Sequence, residues 1–297
     1  SDGAPLYNFG AVVDDLTMKI TLVARGRDHM VNTPPQILLY QALGAEPPEF
    51  AHLPMMLAPS GEKLSKRHGA VSVTEYREQG YSPNAVLNYL VRFGWSHGDK
   101  EIFSRHELIE LFNWESCNKS DGKFDAKKFL AIEHEHLKSE ALTPNAEYAR
   151  RLMPFLERRG LTGIDTSRVE SIVYTVRERS RTFVEAADGL DFFFRAEPEV
   201  DEAAAKKFLT PESAPRLVAL REALSEANLA WTEPALEARV TAWLAEQGLH
   251  IKDVAQPARV ALTGRTASPG LYQVLAVLGR DASLGRLAAG AARAQGR

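Results

Sequence analysis

The stretch KITLVARGRDHMVNTPPQILLYQALGAEPPEFAHLPMML, Lys19–Leu57, decides the reading of the fold. Lys19–Ala24 is a β-rich apolar run, and Ala51–Leu57 is a second. Between them Thr33 stands as a helix N-cap, with Pro34 in the first turn, Gln36–Leu43 as the body and Gly44 as the stop. Strand, helix, strand over about fifty residues is the βαβ pattern of a parallel sheet. Leu6–Val13, joined to it through Asp14-Asp15-Leu16-Thr17, reads as a further buried strand.

Beyond Leu57 the pattern turns helical. Ser82-Pro83 starts a helix with Val86, Leu90 and Phe93 on one face and Gly94 at its end. Ser104-x-x-Glu107 is a capping box opening a helix through Phe112. Thr143-Pro144 opens another to Arg159, with Pro154 as a candidate kink. Further helices are expected at Val169–Ala187, Pro211–Ala227, Pro234–Gln247 and Pro269–Leu278, and the Ala/Gly/Arg-rich tail after Leu287 is expected to fray.

The chain has 297 residues, more than a usual single domain, with 44% hydrophobic and 25% charged residues and a formal charge of −3. No cationic coat is implied, although local basic patches suffice for nucleic acid. One cysteine, Cys117, excludes an intramolecular disulfide and a multi-thiolate zinc site, which fits a reducing, cytoplasmic setting. No apolar run approaches the ~20 residues that span a bilayer, so no membrane partner is expected. The abrupt opening, without methionine, predicts that an amino-terminal part is missing.

Two segments carry candidate chemistry. Lys63-Leu64-Ser65-Lys66-Arg67 follows the Pro59–Gly61 turn and puts three cations into five residues. Lysine gives a compact ammonium and arginine a fork, which together suit a polyphosphate. Arg25-Gly26-Arg27-Asp28-His29 lies where a strand gives way to a helix, the end of a parallel sheet at which α/β folds bind ligands.

These segments resemble bacterial glutamyl-tRNA synthetases, of class I. The resemblance rests on SDGAPLYNFGAVVDD (Ser1–Asp15), RGRDHMVNTPPQ (Arg25–Gln36), KLSKRHGAVSV (Lys63–Val73), NYLVRFGWSHGDKEIF (Asn88–Phe103) and QPARVALTGRTASPGLYQVL (Gln256–Leu275), in the family's order. It implies an α/β then mainly α chain: the second half of a Rossmann-like catalytic fold, then helical stem-contact and anticodon-binding domains. The expected division is 1–58, 59–140, 141–200 and 201–297. The implied activity is ATP-dependent activation of glutamate to glutamyl-adenylate and transfer to tRNA, with Mg2+ accompanying ATP. The expected partners are glutamate, ATP and the tRNA for glutamate, and a monomer is expected.

Position by position, Lys63–Arg67 resembles the KMSKS-type loop. Lys63, Lys66 and Arg67 are the candidate catalytic cations, and Ser65 and Lys66 would contact ATP. An ammonium placed beside the departing pyrophosphate stabilises the transition state more than the ground state. Asp28, His29 and the Leu57 backbone would complete the nucleotide site, and Arg25 with Tyr7 would hold the glutamate carboxylate. For tRNA the resemblance points to Arg179, Arg259, Thr263, Gly264, Ser268 and Pro269, with Arg265 in the same segment. Arg177 and Arg181, four residues apart, are expected on one helix face that could also meet an anticodon loop.

The family's HxGH-type motif is absent, and it would belong to the missing half. Ala131-Ile132-Glu133 stands where the family often has Trp-Leu-Asn. The alternative reading is therefore a tRNA-binding module that catalyses nothing in this form. An enzyme glutamylating a modified tRNA base is disfavoured by the helical carboxyl half, and a glutaminyl enzyme by the lack of a β-rich one. His134 and His136, with Glu133 and Glu135, are expected on a solvated helix face rather than around a metal. Cys117 is expected to pack, and Trp95, Trp114, Trp231 and Trp243 to anchor cores or domain boundaries.

Overall fold

The expected βαβ unit forms. In the computed structural model, which describes residues 3–64 and 72–296, β1 (Leu22–Gly26) and β2 (Glu49–Leu53) pair in parallel from Leu22↔Glu49 to Gly26↔Leu53. A short 3-10 turn at Arg27–Asn32 and helix α2 (Thr33–Ala42) connect them. Pro54 lacks an N–H and splits the predicted Ala51–Leu57 strand. Its second piece, β3 (Met56–Leu57), pairs in parallel with β4 (Gly122–Lys123) instead of continuing β2.

The predicted first strand is a helix, α1 (Tyr7–Thr17). Its apolar residues recur at Phe9, Val12, Val13 and Leu16, a three-to-four residue period rather than an alternation. Only Val12 is buried.

The chain divides into two compact units, Ser1–His136 and Leu137–Arg297. The first unit adds α3 (Val73–Glu78), α4 (Pro83–Val91), α5 (Arg105–Leu111) and α6 (Ala126–Lys138), the last reaching the boundary. Ser82 caps α4 as read, but the buried face runs through Ala85, Val86 and Tyr89, with Leu90 36% exposed. The Ser104–Glu107 capping box is present in both directions. Tyr89 stacks on Phe129 at 4.3 Å, and its hydroxyl donates to the Asp125 carbonyl at 3.0 Å. Trp95, Phe103 and Leu108 form a smaller core against which Cys117 packs, and burial pushes its thiol up. Trp114, expected as an anchor, is 46% exposed.

Glu133 and His136 correct the solvated-face reading: both are fully buried. The Glu133 carboxylate accepts from the Ser82 amide at 2.9 Å and hydroxyl at 3.0 Å, fixing the start of α4. A carboxylate there also complements the helix dipole. His136 Nε2 lies 3.0 Å from Asn88 Oδ1. That oxygen also accepts the Phe103 amide at 2.8 Å, so Nε2 is the donor. The i,i+3 relation puts Glu133 and His136 on the buried face of α6 while His134 and Glu135 stay outside it.

The second unit has no strand among its described residues; its helices are α7 (Asn145–Glu157), α8 (Thr166–Glu170), α9 (Tyr174–Arg177), α10 (Phe183–Leu190), α11 (Glu202–Phe208), α12 (Ala214–Leu224), α13 (Glu233–Gln247), α14 (Ala255–Thr263), α15 (Leu271–Leu278) and α16 (Arg280–Ala294). The predicted helix Val169–Ala187 is thus three short ones. Thr182 accepts the Glu185 amide and starts α10 afresh, so Arg177 and Arg181 do not share a helix. One core gathers Tyr148, Leu152, Leu156, Ile172 and Phe183; the other gathers Leu217, Leu236, Trp243, Leu262 and Leu287. Phe193 packs against both.

The tail does not fray. In α16, Leu287, Ala291 and Ala294 are buried. A Cβ on Gly290 would come within 2.4 Å of the Ala261 Cβ, so glycine and alanine here are what let α14 and α16 approach. The composition that reads as disorder is the composition of a close helix contact.

Candidate functional site

The βαβ unit brings the first set of predicted residues together at the carboxyl end of β1. Arg25, the penultimate residue of that strand, donates through Nη2 to Thr33 Oγ1 at 2.9 Å and Gln36 Oε1 at 2.8 Å, both in the first turn of α2. Its guanidinium lies 5.5 Å over the Phe50 ring. Thr33 is in turn 2.9 Å from His52 Nε2, and Gln36 donates to Asn8 Oδ1 at 3.1 Å. Both of Arg25's hydrogen bonds use Nη2, which leaves Nη1 for a carboxylate while the fork is held still.

Tyr7, at the start of α1, lies beside His29: its hydroxyl is 3.2 Å from His29 Nδ1, which Asn32 also approaches at 3.3 Å. The residues expected to hold glutamate and nucleotide therefore adjoin one another. Asp28 folds back over Gly26, where a Cβ would meet Asp28 Oδ1 at 2.6 Å.

Lys63, the first cation of the basic segment, reaches the same place. Lys63 donates to Asp28 Oδ2 at 2.7 Å across thirty-five residues of sequence. The Lys63 ammonium holds the Asp28 carboxyl below the usual carboxylate range. Leu57 is one strand residue away: the Ala58 amide bonds the Glu62 carbonyl and the Leu64 amide the Met56 carbonyl, so Leu57 faces Lys63 in an antiparallel bridge. The Leu57 carbonyl, expected to be open to a base, accepts the Phe124 amide at 2.8 Å. Ser65, Lys66 and Arg67 lie outside the described residues.

Sequence reasoning missed Asn8, Thr33, Gln36 and His52 as the supports of Arg25, and it missed Asp121. The Asp121 carboxylate accepts from Arg27 at 2.6 Å and from the Met55 amide at 2.9 Å, tying the loop after β1 to the start of β3. A lone aspartate ninety-four residues from its partner leaves no local signal.

The second set converges in the second unit. Arg179 Nη1 donates to the Ser268 carbonyl at 2.6 Å, and Arg259 Nη1 donates to the same carbonyl at 3.0 Å and to Ser268 Oγ at 2.9 Å. Neither guanidinium has a carboxylate partner among the described residues. Burial, reinforced by the charge of Arg179, pulls the Arg259 guanidinium below the usual arginine range. Two guanidiniums without carboxylate partners that share one carbonyl have the charge and donors to receive an anion. Pro269 completes it, its carbonyl accepting from Arg259 at 3.2 Å.

Thr263 and Gly264 are placed differently. Thr263 is 1% exposed and its hydroxyl donates to the Arg259 carbonyl at 2.8 Å, so its part is to close α14. Gly264 has φ +77°, and a Cβ there would sit 2.0 Å from the Glu199 carbonyl oxygen. Arg265 is drawn inward, to the Asp188 carbonyl and to Asp191 Oδ2 at 2.8 Å.

Arg177 is not available to a ligand. It is 7% exposed, lies 4.8 Å over the Tyr148 ring, and donates to the Leu137 carbonyl at 2.6 Å, the Thr143 carbonyl at 2.9 Å and Asn145 Oδ1 at 2.8 Å. Arg181 pairs with Glu185 at 2.8 Å. Among the described residues no three His, Cys, Asp or Glu side chains are grouped to hold a metal, and no helix is long and apolar enough to cross a membrane.

A βαβ unit with Lys63 of the basic segment at its ligand end, followed by a helical unit in which two arginines without carboxylate partners share one carbonyl, is the plan of a class I synthetase. Residues 1–131 match tRNA synthetases class I (E and Q), catalytic domain, and residues 147–291 match an anticodon binding domain. The chain belongs to this family of class I tRNA synthetases. Its relatives there are glutamate–tRNA ligases: it is 49% identical over 286 residues to that of Anaeromyxobacter sp. (strain Fw109-5) and 48% over 287 residues to that of Geobacter sulfurreducens. These alignments cover 96% and 97% of this chain but 60% and 61% of the relatives, so the chain spans about three fifths of their length. The crystal structure of a glutamate tRNA ligase from Elizabethkingia meningosepticum in complex with its amino acid superposes with a TM-score of 0.79 at 29% identity, covering 98% of this chain and 61% of that one.

Proposed function

We propose that this chain is the part of a glutamate–tRNA ligase that holds the basic-loop side of the adenylation site and the tRNA-binding helices. In the whole enzyme, glutamate attacks the α-phosphate of ATP, giving glutamyl-adenylate and pyrophosphate, and the glutamyl group then passes to the terminal ribose of tRNA. Arg25, held by Thr33 and Gln36, would receive the glutamate carboxylate with Tyr7 alongside. Asp28 and His29, at the end of β1, would face the nucleotide. Lys63, Ser65, Lys66 and Arg67 would supply the polyphosphate contacts, the cations acting on charge that grows on pyrophosphate as the bond breaks. Mg2+ would accompany ATP as its counter-ion, bound mainly by phosphate oxygens.

The observation that carries the reading is the Lys63–Asp28 pair, which joins the basic loop to the strand end bearing Arg25. In the second unit the Arg179–Arg259 pair on Ser268 supports contact with the anticodon loop, where unpaired bases and phosphates meet guanidiniums. The same pair favours a second reading for the chain by itself, a tRNA-binding module without catalysis, because its sequence contains no HxGH motif.

The test is glutamate- and tRNA-dependent ATP–pyrophosphate exchange, on this chain and on the longest product of its gene. Exchange by the longer product that is lost in Lys66→Ala supports the ligase reading. RNA binding without exchange by the 297-residue chain supports the binding-module reading for this portion. Absence of exchange in both products refutes the ligase assignment.

A further inference from the structure

The loop that follows α14 serves two neighbouring places. Ser268 receives Arg179 and Arg259, while Arg265 and Thr266 line a separate cleft of about 370 Å3 together with Asp201, Lys207, Phe208 and Gln256. That volume exceeds the needs of a lone ion and suits a planar group of nucleobase size.

Its lining has the matching chemistry. Lys207 is exposed, lies 5.1 Å over the Phe208 ring, and has no carboxylate partner among the described residues. Gln256 Oε1 is buried with no hydrogen-bond donor among the described residues, and a buried acceptor left so costs about 1–3 kcal/mol. One Asp201 oxygen accepts the Ala204 amide at 2.7 Å, which holds that carboxylate at the cleft with its other oxygen uncommitted to that bond. Arg265 is positioned by Asp191, so its charge is largely compensated and Lys207 is the cation that remains. A donor-seeking amide oxygen, a carboxylate, an apolar ring and a cation together fit a base edge, a base face and a phosphate.

We infer that this cleft takes one unstacked nucleotide of the bound RNA, its base edge on Gln256 and Asp201 and its phosphate on Lys207. The inference rests on the proposal that the second unit binds tRNA. Thr266 and Ser268 are two residues apart, at most about 7 Å along the chain, so a single-stranded segment at the arginine pair also reaches the cleft.

The experiment uses the 297-residue chain and an anticodon stem-loop RNA of the tRNA for glutamate, carrying 4-thiouridine at each loop position in turn. After irradiation, one loop position is expected to cross-link to the peptide spanning 201–208 or to that containing Gln256. In filter binding, Lys207→Ala is expected to lower the salt slope by about one, as for one lost phosphate contact. Gln256→Leu is expected to weaken binding roughly five- to a hundredfold, the range for one base contact. Lys207 is exposed, so its variant remains informative if Gln256→Leu fails to fold. Cross-links confined to the Arg179, Arg259 and Ser268 peptides, with wild-type binding in both variants, would overturn the inference. Failure of the unsubstituted chain to bind the stem-loop would overturn the RNA-binding proposal itself, and the cleft assignment with it.

Discussion

Replacing Gly264 by alanine tests whether one backbone contact holds the loop that presents Ser268. The residue has φ +77°, and an added Cβ would meet the Glu199 carbonyl oxygen at 2.0 Å and its carbon at 2.7 Å. These are backbone atoms and cannot swing aside as a side-chain end would. Left-handed backbone costs a non-glycine residue about 1–2 kcal/mol. Moving Glu199 away endangers the Asp201 amide bond to the Gly264 carbonyl, 2.9 Å long, for about 1 kcal/mol more. Overpacking adds roughly 1–3 kcal/mol, and the stiffer unfolded chain returns about 0.4–1 kcal/mol. The net expectation is about 3 kcal/mol.

Gly160→Ala is the internal control. Gly160 has φ +75° but nothing within 4 Å of an added Cβ, so only about 1 kcal/mol of conformational strain applies. In urea, with a slope of roughly 2 kcal/mol per molar, Gly264→Ala should lower the midpoint by about 1.5 M and Gly160→Ala by about 0.5 M. The same Gly264→Ala protein should bind the stem-loop RNA more weakly, since Arg265–Ser268 hang from that turn. Equal midpoint shifts for the two variants would refute the contact argument.

Arg177→Met should destabilise the second unit by about 3 kcal/mol, because two buried carbonyls and the half-buried Asn145 amide oxygen lose their donor; Arg179→Ala should change stability by no more than about 0.5 kcal/mol yet weaken RNA binding, as paired denaturation and filter-binding measurements will show. Lys63→Ala should let the Asp28 carboxyl rise toward its ordinary value in an NMR titration, with little effect on folding since the pair is exposed. Burial pushes His136 down to about 4, so the unfolded chain binds its proton first. The stabilisation from its neutral form is therefore complete above about pH 6.5 and is lost as pH falls toward 4, by about 3 kcal/mol in all. Urea midpoints measured between pH 7 and 4.5 should show this fall, and it should flatten in His136→Gln.

Much of the fold was legible because it is written in local physics. Ser82-Pro83 and Ser104-x-x-Glu107 satisfy helix amides within three residues, and they cap the helices expected. Lys19–Leu57 alternates strand and helix patterns with a stop at Gly44, and it folds as a parallel βαβ unit. Where two readings share a composition, neighbours decided. Tyr7–Val13 carries β-rich residues, but its period is helical, and Asn8 in its first turn bonds Gln36 of the next helix. The Ala/Gly tail is helical because Ala261 and Leu217 lie against it, which no window of the tail itself contains.

The sequence by itself determined the βαβ unit of Lys19–Leu57, the capped helix starts at Ser82 and Ser104, the placement of Arg25 at the end of a strand, and the family of the chain through its ordered motifs. Those are properties of short windows and of their succession. Only the tertiary structure decided which of the arginines keep a charge without a carboxylate partner among the described residues. Arg177, Arg179, Arg259, Arg265 and Arg286 look alike in the sequence, yet Arg177 and Arg286 are spent on buried carbonyls and Arg265 on Asp191. Arg179 and Arg259 meet on one carbonyl eighty-nine and nine residues away. A guanidinium is a donor wherever it lies. Its role is set by which acceptors the packing brings to it, and by whether those acceptors leave its charge uncompensated.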